Sequence, residues 1–370
     1  MAVDFQTLAI PGVQSLRPYQ PGKPIEELAR ELGLNEADIV KLASNENPLG
    51  PSPKALAAID EAMPDITLYP DGYGFDLKKA LGEKLGIGMN QITLGNGSSD
   101  ILDFIARVFA NDGDNIVVSQ HSFAIYGIVA RMVGADCIEV PAKDFGHDLD
   151  AMAAAINDRT RIVFITNPNN PTGTWLSRAD ITAFMQKVPE HVLVLLDEAY
   201  FEFVQEAGYA NGLELLPDYP NLVVARTFSK AYGLAALRVG YAVSSPRLAD
   251  LLNRVRPPFN VNSLALAAAV AALDDDEYVS SSIAVNSAGM KQLTDAFDAM
   301  KLPYIPSVGN FVAVKVAESG DAMPVYNALL AKGVIVRPVA NYEMPEYLRV
   351  SIGTEAQNTV FINALRAVLS

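Results

Sequence analysis

Residues 161–200 read RIVFITNPNNPTGTWLSRADITAFMQKVPEHVLVLLDEAY, and this stretch decides the fold. An apolar run, Arg161–Thr166, ends in the turn-rich segment NPNNPTGT. A helical pattern then begins at about Ser177, and a second apolar run ends at Asp197. The apolar runs are near-continuous rather than alternating, as in strands buried on both faces, so the unit reads as strand, helix, parallel strand. The same rhythm runs from Ser44 to about Pro258. DNIVVS, ADCIEV and NLVVART read as further strands, SSDILDFIARVFA and LDAMAAAIND as helices. The expected fold is α/β, a large domain with a mostly parallel sheet covered by helices.

Past Arg256, Pro257 and Pro258 the texture changes. Two helical segments, SLALAAAVAAL and SAGMKQLTDAFDAM, precede the short apolar runs NFVAVKV, GVIVRPV and YLRVSIG, a pattern for a smaller α+β domain. Before Ser44, Pro11, Pro18, Pro21 and Pro24 suggest an extended arm that feeds the amphipathic piece PIEELARELG. The expected divisions are residues 1–43, arm and part of the small domain; 44–258, large domain; and 259–370, small domain.

Composition narrows the function. A formal charge of −15 opposes nonspecific binding to nucleic acid or to an anionic membrane surface. No run approaches the length of a membrane span and the start carries no export pattern, so a cytoplasmic protein is expected. One cysteine, Cys137, excludes an internal disulfide framework, and three scattered histidines give a metal site no support.

In parallel sheets ligands bind beyond the carboxyl ends of the strands. NPNNPTGT, DEAY and the FSK that follows NLVVART all fall at that edge, so Asn170, Asp197 and Lys230 are expected in one cleft. A desolvated lysine near other cations favours its amine form, which can make a Schiff base with an aldehyde. Asp197 could keep a pyridine nitrogen protonated, and Asn170 and Tyr200 could hydrogen-bond a ring oxygen. GNGSSD, residues 95–100, sets a glycine turn and Ser98 and Ser99 before a helix, where free N–H groups favour an anion. Ser229 and Arg238 would complete a phosphate cradle. These are the anchors of pyridoxal 5'-phosphate.

NPNNPTG, DEAY and SKAYGLAALRVGY resemble the fold-type I aminotransferases, and RPYQPGKP, KLASNENPLGPSP, YPDGYG and LRVSIG are similar to their histidinol-phosphate branch. The resemblance implies a seven-stranded sheet, Lys230 as the Schiff-base residue and Phe123 stacked on the cofactor. It also implies a homodimer in which Tyr69 reaches the neighbouring subunit's phosphate. Tyr19, Asn47, Arg337 and Arg349 would bind substrate. The implied reaction is ping-pong transamination between imidazole acetol phosphate with glutamate and histidinol phosphate with 2-oxoglutarate. An aromatic amino acid aminotransferase and a threonine-phosphate decarboxylase are rivals on the same fold. In one place the chain departs from the family. The family's RPMxGYG is here RPVANYEMP, with Asn341 and Glu343 in place of small residues near the expected pocket.

Overall fold

The computed structural model describes residues 3–16, 18, 19 and 21–370. Its strands in chain order are β1 (Val40–Lys41), β2 (Ile92–Gly95), β3 (Asn115–Ser119), β4 (Asp136–Val140), β5 (Thr160–Thr166), β6 (Leu193–Asp197) and β7 (Leu222–Thr227). They continue with β8 (Gly240–Ser244), β9 (Tyr304–Ile305), β10 (Phe311–Lys315), β11 (Val334–Ile335), β12 (Arg337–Pro338) and β13 (Tyr347–Ser351).

Strands β2 to β8 form the seven-stranded sheet, in the order β2-β8-β7-β6-β5-β3-β4. All neighbours from β7 to β4 run parallel, and β8 is antiparallel to both β7 and β2. Successive side chains of a strand face opposite ways, and both faces are covered. Ile162, Phe164, Leu195 and Val223 pack with Ile101, Phe104 and Ile105 of the helix Ser98–Phe109. Val163, Ile165, Val194 and Val224 pack with Ile181, Phe184 and Met185 of the helix Arg178–Met185. That helix starts where its residues predict. Ser177 caps it, its Oγ accepting from the Asp180 N–H while the Asp180 carboxylate accepts from the Ser177 N–H, a reciprocal capping box.

The smaller lobe is built on the antiparallel sheet β12-β13-β10-β9, and β11 pairs in parallel with β1, so the segment before Ser44 contributes to it. Its apolar core joins Leu42, Val312, Val314, Leu348 and Val350 to Leu293, Phe297, Phe361 and Leu365. The helix Ser263–Leu273, expected in this lobe, packs instead in the large one, where Ala265, Ala268, Ala269 and Ala272 share a cluster with Ile92, Leu94, Tyr241 and Val243. The reason is its alanine surface: short side chains let the helices Pro53–Ala62 and Phe75–Leu85 approach closely. The chain crosses between lobes along the 24-residue helix Asp276–Ala299, in which Val279 touches the large-lobe core and Leu293 the small-lobe core. No helix among the described residues is long and apolar enough to cross a membrane.

Candidate functional site

Three adjacent parallel strands end at one edge of the sheet, β5 in Thr166, β6 in Asp197 and β7 in Thr227, and all three residues line a single cavity of about 260 Å³. The loops beyond those strand ends add Asn170, Tyr200, Ser229, Lys230 and Arg238. Ser98, Ser99 and Phe123 close the large-lobe side, and Tyr19, Arg337 and Arg349 come from the arm and the small lobe.

Burial governs the chemistry of the two central groups. Lys230 Nζ donates to the Ser44 carbonyl at 3.1 Å. Burial, then repulsion from Arg349 and Arg238, pushes its ammonium down to about 8, against the pull of Glu46 and Asp197. Asp197 is held by neutral donors, the Tyr126 hydroxyl at 2.9 Å and the Ala199 N–H at 3.2 Å. Burial raises its carboxyl to about 6, and these two bonds limit the rise. A buried carboxylate held only by neutral donors favours a cationic or protonated partner in the cavity. Tyr126 also meets the Thr166 hydroxyl at 2.7 Å. Its role is not apparent from the sequence, although a tyrosine in the first turn of the helix Ile125–Met132 needs a polar partner once buried.

The anion cradle depends on two glycines. Gly97 has φ 76°, and a Cβ there would lie 2.2 Å from Arg238 Nη2, while a Cβ on Gly240 would lie 2.6 Å from the Ser98 nitrogen. Bare backbone at both positions thus lets the guanidinium approach the first turn of the helix Ser98–Phe109, where unbonded N–H groups gather. Arg238 is itself left-handed at φ 58° and donates to Ser229 Oγ at 3.3 Å and the Ala235 carbonyl at 3.0 Å. A guanidinium, a hydroxyl and a helix N-terminus so arranged fit a phosphate.

On the other side of the cavity, Arg337 and Arg349 stand directly opposite each other on β12 and β13. Like charges so paired destabilise a sheet, and an anion would offset them. Arg349 is 6 % exposed. Its Nη1 donates to Asn170 Oδ1, its Nη2 to the Ala43 carbonyl at 2.7 Å, and its Nε has no partner among the described residues. Both acceptors are neutral and a donor remains unused, so this guanidinium is built for an anion that enters the cavity. Arg337 faces the Tyr19 ring at 5.8 Å. Because Arg349 occupies the Asn170 oxygen, the Asn170 amide nitrogen is the end left for a ligand's acceptor. Tyr200, raised to about 12 by burial, has its oxygen hydrogen-bonded by Asn45 Nδ2 at 3.0 Å.

Two expected residues lie elsewhere. Asn47 does not line the cavity, because its amide donates to the Ala231 carbonyl and to Ser282 Oγ, both at 2.8 Å. It fastens the long interlobe helix to the segment after Lys230, and Asn45 stands at the cavity wall instead. Tyr69 is 82 % exposed and stacks on Phe259 at 4.7 Å, outside the cavity of its own chain.

Lys78 is the other lysine that burial lowers to about 8. It lies on the helix Phe75–Leu85, beside Arg256 and Asp71, and does not line this cavity. A lysine lowered by burial is therefore not unique to this cavity. What singles out Lys230 is that its amine shares a cavity with the Asp197 carboxylate, with Arg238 at the start of the helix Ser98–Phe109, and with the pair Arg337 and Arg349.

Comparison with known proteins agrees with this geometry. Residues 37–365 match the profile of aminotransferase class I and II. The chain is 59 % identical over 370 residues, all of both chains, to histidinol-phosphate aminotransferase 2 of Pseudomonas fluorescens strain Pf-5. It is also 59 % identical over 365 residues, 99 % of this chain and 98 % of the other, to histidinol-phosphate aminotransferase 1 of Nitrosococcus oceani. Among solved structures, the histidinol-phosphate aminotransferase of Sinorhizobium meliloti in complex with pyridoxal-5'-phosphate matches with a TM-score of 0.89. The two are 32 % identical, over 97 % of this chain and 96 % of that one. Matched by the family profile over residues 37–365, the chain belongs to the aminotransferase class I and II family.

Proposed function

We propose that the chain is a pyridoxal-phosphate-dependent aminotransferase that exchanges an amino group between histidinol phosphate and 2-oxoglutarate, and in reverse between glutamate and imidazole acetol phosphate. The observation that carries the reading is the sharing of one cavity by a part-buried amine, Lys230, and two arginines in cross-strand register, Arg337 and Arg349. It is supported by 59 % identity to relatives that bear that name. When bound, the cofactor supplies an aldehyde that captures amines and a ring that takes up electrons from the substrate Cα.

The chain's own residues supply the rest. Lys230 Nζ would be the nucleophile toward the aldehyde and, once released, the base that takes the substrate Cα proton and delivers it to the cofactor carbon across the intervening nitrogen. Its pKa of about 8 lies close to the operating pH and leaves a useful amine fraction near neutrality. Asp197 holds a proton on the ring nitrogen. Asn170, through its amide nitrogen, and Tyr200, through its hydroxyl, hold the ring oxygen, and Phe123 covers a ring face. Ser98, Ser99, Ser229 and Arg238 hold the cofactor phosphate. Arg349, Arg337 and Tyr19 orient the substrate's anionic group, and a forked guanidinium accepts carboxylate and phosphate alike, as two half-reactions require.

The same proposal includes a homodimer. Ile66, Leu68, Tyr69, Tyr73 and Phe75 are 56–82 % exposed within ten residues of sequence, an apolar patch suited to a second copy that would receive Tyr69. The cytoplasmic setting expected from the sequence stands with it.

Assays with histidinol phosphate or phenylalanine, each with 2-oxoglutarate, test the substrate. The phosphorylated amine should be preferred by at least about 10²-fold in kcat/KM, because a phosphate offers Arg337 and Arg349 more charge and more acceptor oxygens than the carboxylate of phenylalanine does. A preference for phenylalanine would make the enzyme an aromatic aminotransferase.

A further inference from the structure

The departure from the family pattern at Asn341 and Glu343 does not alter the cavity wall. Both residues are exposed, whereas Tyr342 between them is buried and lines the cavity. Glu343 sits at φ 59°, the left-handed region that suits the glycine of RPMxGYG and disfavours an L side chain. Something therefore holds it there. Its carboxylate accepts a hydrogen bond from Gln120 Nε2, just beyond the end of β3 in the large lobe. Gln120 is oriented at its other end, since its Oε1 accepts from the Ala142 N–H at 3.0 Å.

The next residue repeats the pattern. His121 is left-handed at φ 56°, its Nδ1 meets the Tyr342 carbonyl, and its own carbonyl accepts from Asn169 Nδ2 at 3.0 Å. Two left-handed residues, neither a glycine, thus lie in neighbouring loops of different lobes. Such backbone persists where its surroundings over-determine it, and these conformations concentrate at functional contacts. The two cross-lobe bonds fall on Tyr342 itself and on the residue after it. The Tyr342 side chain packs with Ile305, Val339 and Met344 of the small lobe and with Ala124 and Phe145 of the large one.

We propose that Gln120 and Glu343 form a latch between the lobes that positions Tyr342 in the cavity wall and so sets how tightly the anionic substrate is held. The proposal rests on the function given above. If Glu343 were only a solvated turn residue, Glu343→Gly would relieve the backbone and change nothing else. A latch requires a different result. Glu343→Gly and Gln120→Ala should each raise KM for histidinol phosphate about two- to tenfold, the worth of one hydrogen bond, with little change in kcat. Glu343→Gln keeps an acceptor and should restore KM. The double variant should be no worse than the worse single one, because both remove the same bond.

Amide hydrogen exchange in residues 339–344 should speed up in the apoprotein of both single variants, a readout that needs no turnover. The Tm of Glu343→Gly should not fall, which separates a lost latch from a damaged fold. Unchanged exchange and KM in the single variants, or additive losses in the double one, would overturn the latch. Faster exchange in a protein whose wild type does not turn over histidinol phosphate would instead preserve the latch and overturn the function.

Discussion

Lys230→Ala is expected to abolish transamination, by at least about 10⁴-fold in kcat, because one substitution removes both the nucleophile and the base. The fold should survive it. The amine makes one hydrogen bond, to the Ser44 carbonyl, and its burial costs free energy rather than supplying it. Linkage gives the sign. The amine titrates at about 8 in the folded chain against an ordinary 10.5, so between those values the unfolded chain binds more protons and stability rises with pH. Below about pH 8 the penalty for burying the charged form is fully present. The alanine apoprotein should therefore be more stable than wild type at pH 7, by on the order of 2 kcal/mol. The gain should shrink as pH rises from 8 toward 10.5. Denaturant unfolding of both apoproteins at pH 7 and pH 10 checks this. An active variant would dismiss Lys230 from the chemistry, and an unfolded one would mean that the side chain supports the fold.

Asp197→Asn should cost the second largest factor, about 10² to 10⁴ in kcat, since a neutral amide keeps the shape but cannot stabilise a protonated ring nitrogen. Folding should change little, because the amide oxygen can still accept from the Ala199 N–H while its nitrogen donates to the Tyr126 oxygen, whose hydroxyl can turn to Thr166 Oγ1. The carboxyl of Asp197 is raised to about 6 by burial, so the carboxylate proposed to bind the cofactor ring is present above that pH and lost as pH falls through it. Cofactor affinity in the wild type should weaken on acidification below about pH 6, and the asparagine variant should lack that step. Tyr126→Phe removes a donor that holds the carboxyl down, so the step should move to higher pH. Titrating cofactor binding to the three proteins between pH 5 and 8 distinguishes these outcomes. An unaltered step in Asp197→Asn would assign it to another group.

The parts of the site that were legible from the residues are those attached to strand ends. NPNNPTGT, DEAY and FSK each follow a continuous apolar run, and parallel strands must deliver such segments to one edge. β2 escaped because ITLG is only four residues long, and β8 because its start overlaps the motif SKAYGLAALRVGY. The helix Ser263–Leu273 follows two prolines, which made it look like the start of a new domain. Its alanines carry no sidedness, so which lobe they pack against is a tertiary matter. Asn45 and Asn47 lie two apart in a loop, where no periodicity tells which amide faces the cavity. The facing of Arg337 and Arg349 depends on the register of β12 and β13, fixed by the packing of the small lobe. Likewise Glu343 looked like a residue of the pocket because its neighbour is one, and only the left-handed turn shows that it points to Gln120.

Reduction of the cofactor-loaded enzyme with borohydride, followed by peptide mapping, tests the central claim most directly. Lys78 is buried and Lys230 part-buried, and both are lowered to about 8, so amine reactivity alone would not choose between them. The cavity chooses, and the cofactor mass should be found on the peptide that contains Lys230. Recovery of the label on Lys78, or on any lysine other than Lys230, would contradict the account.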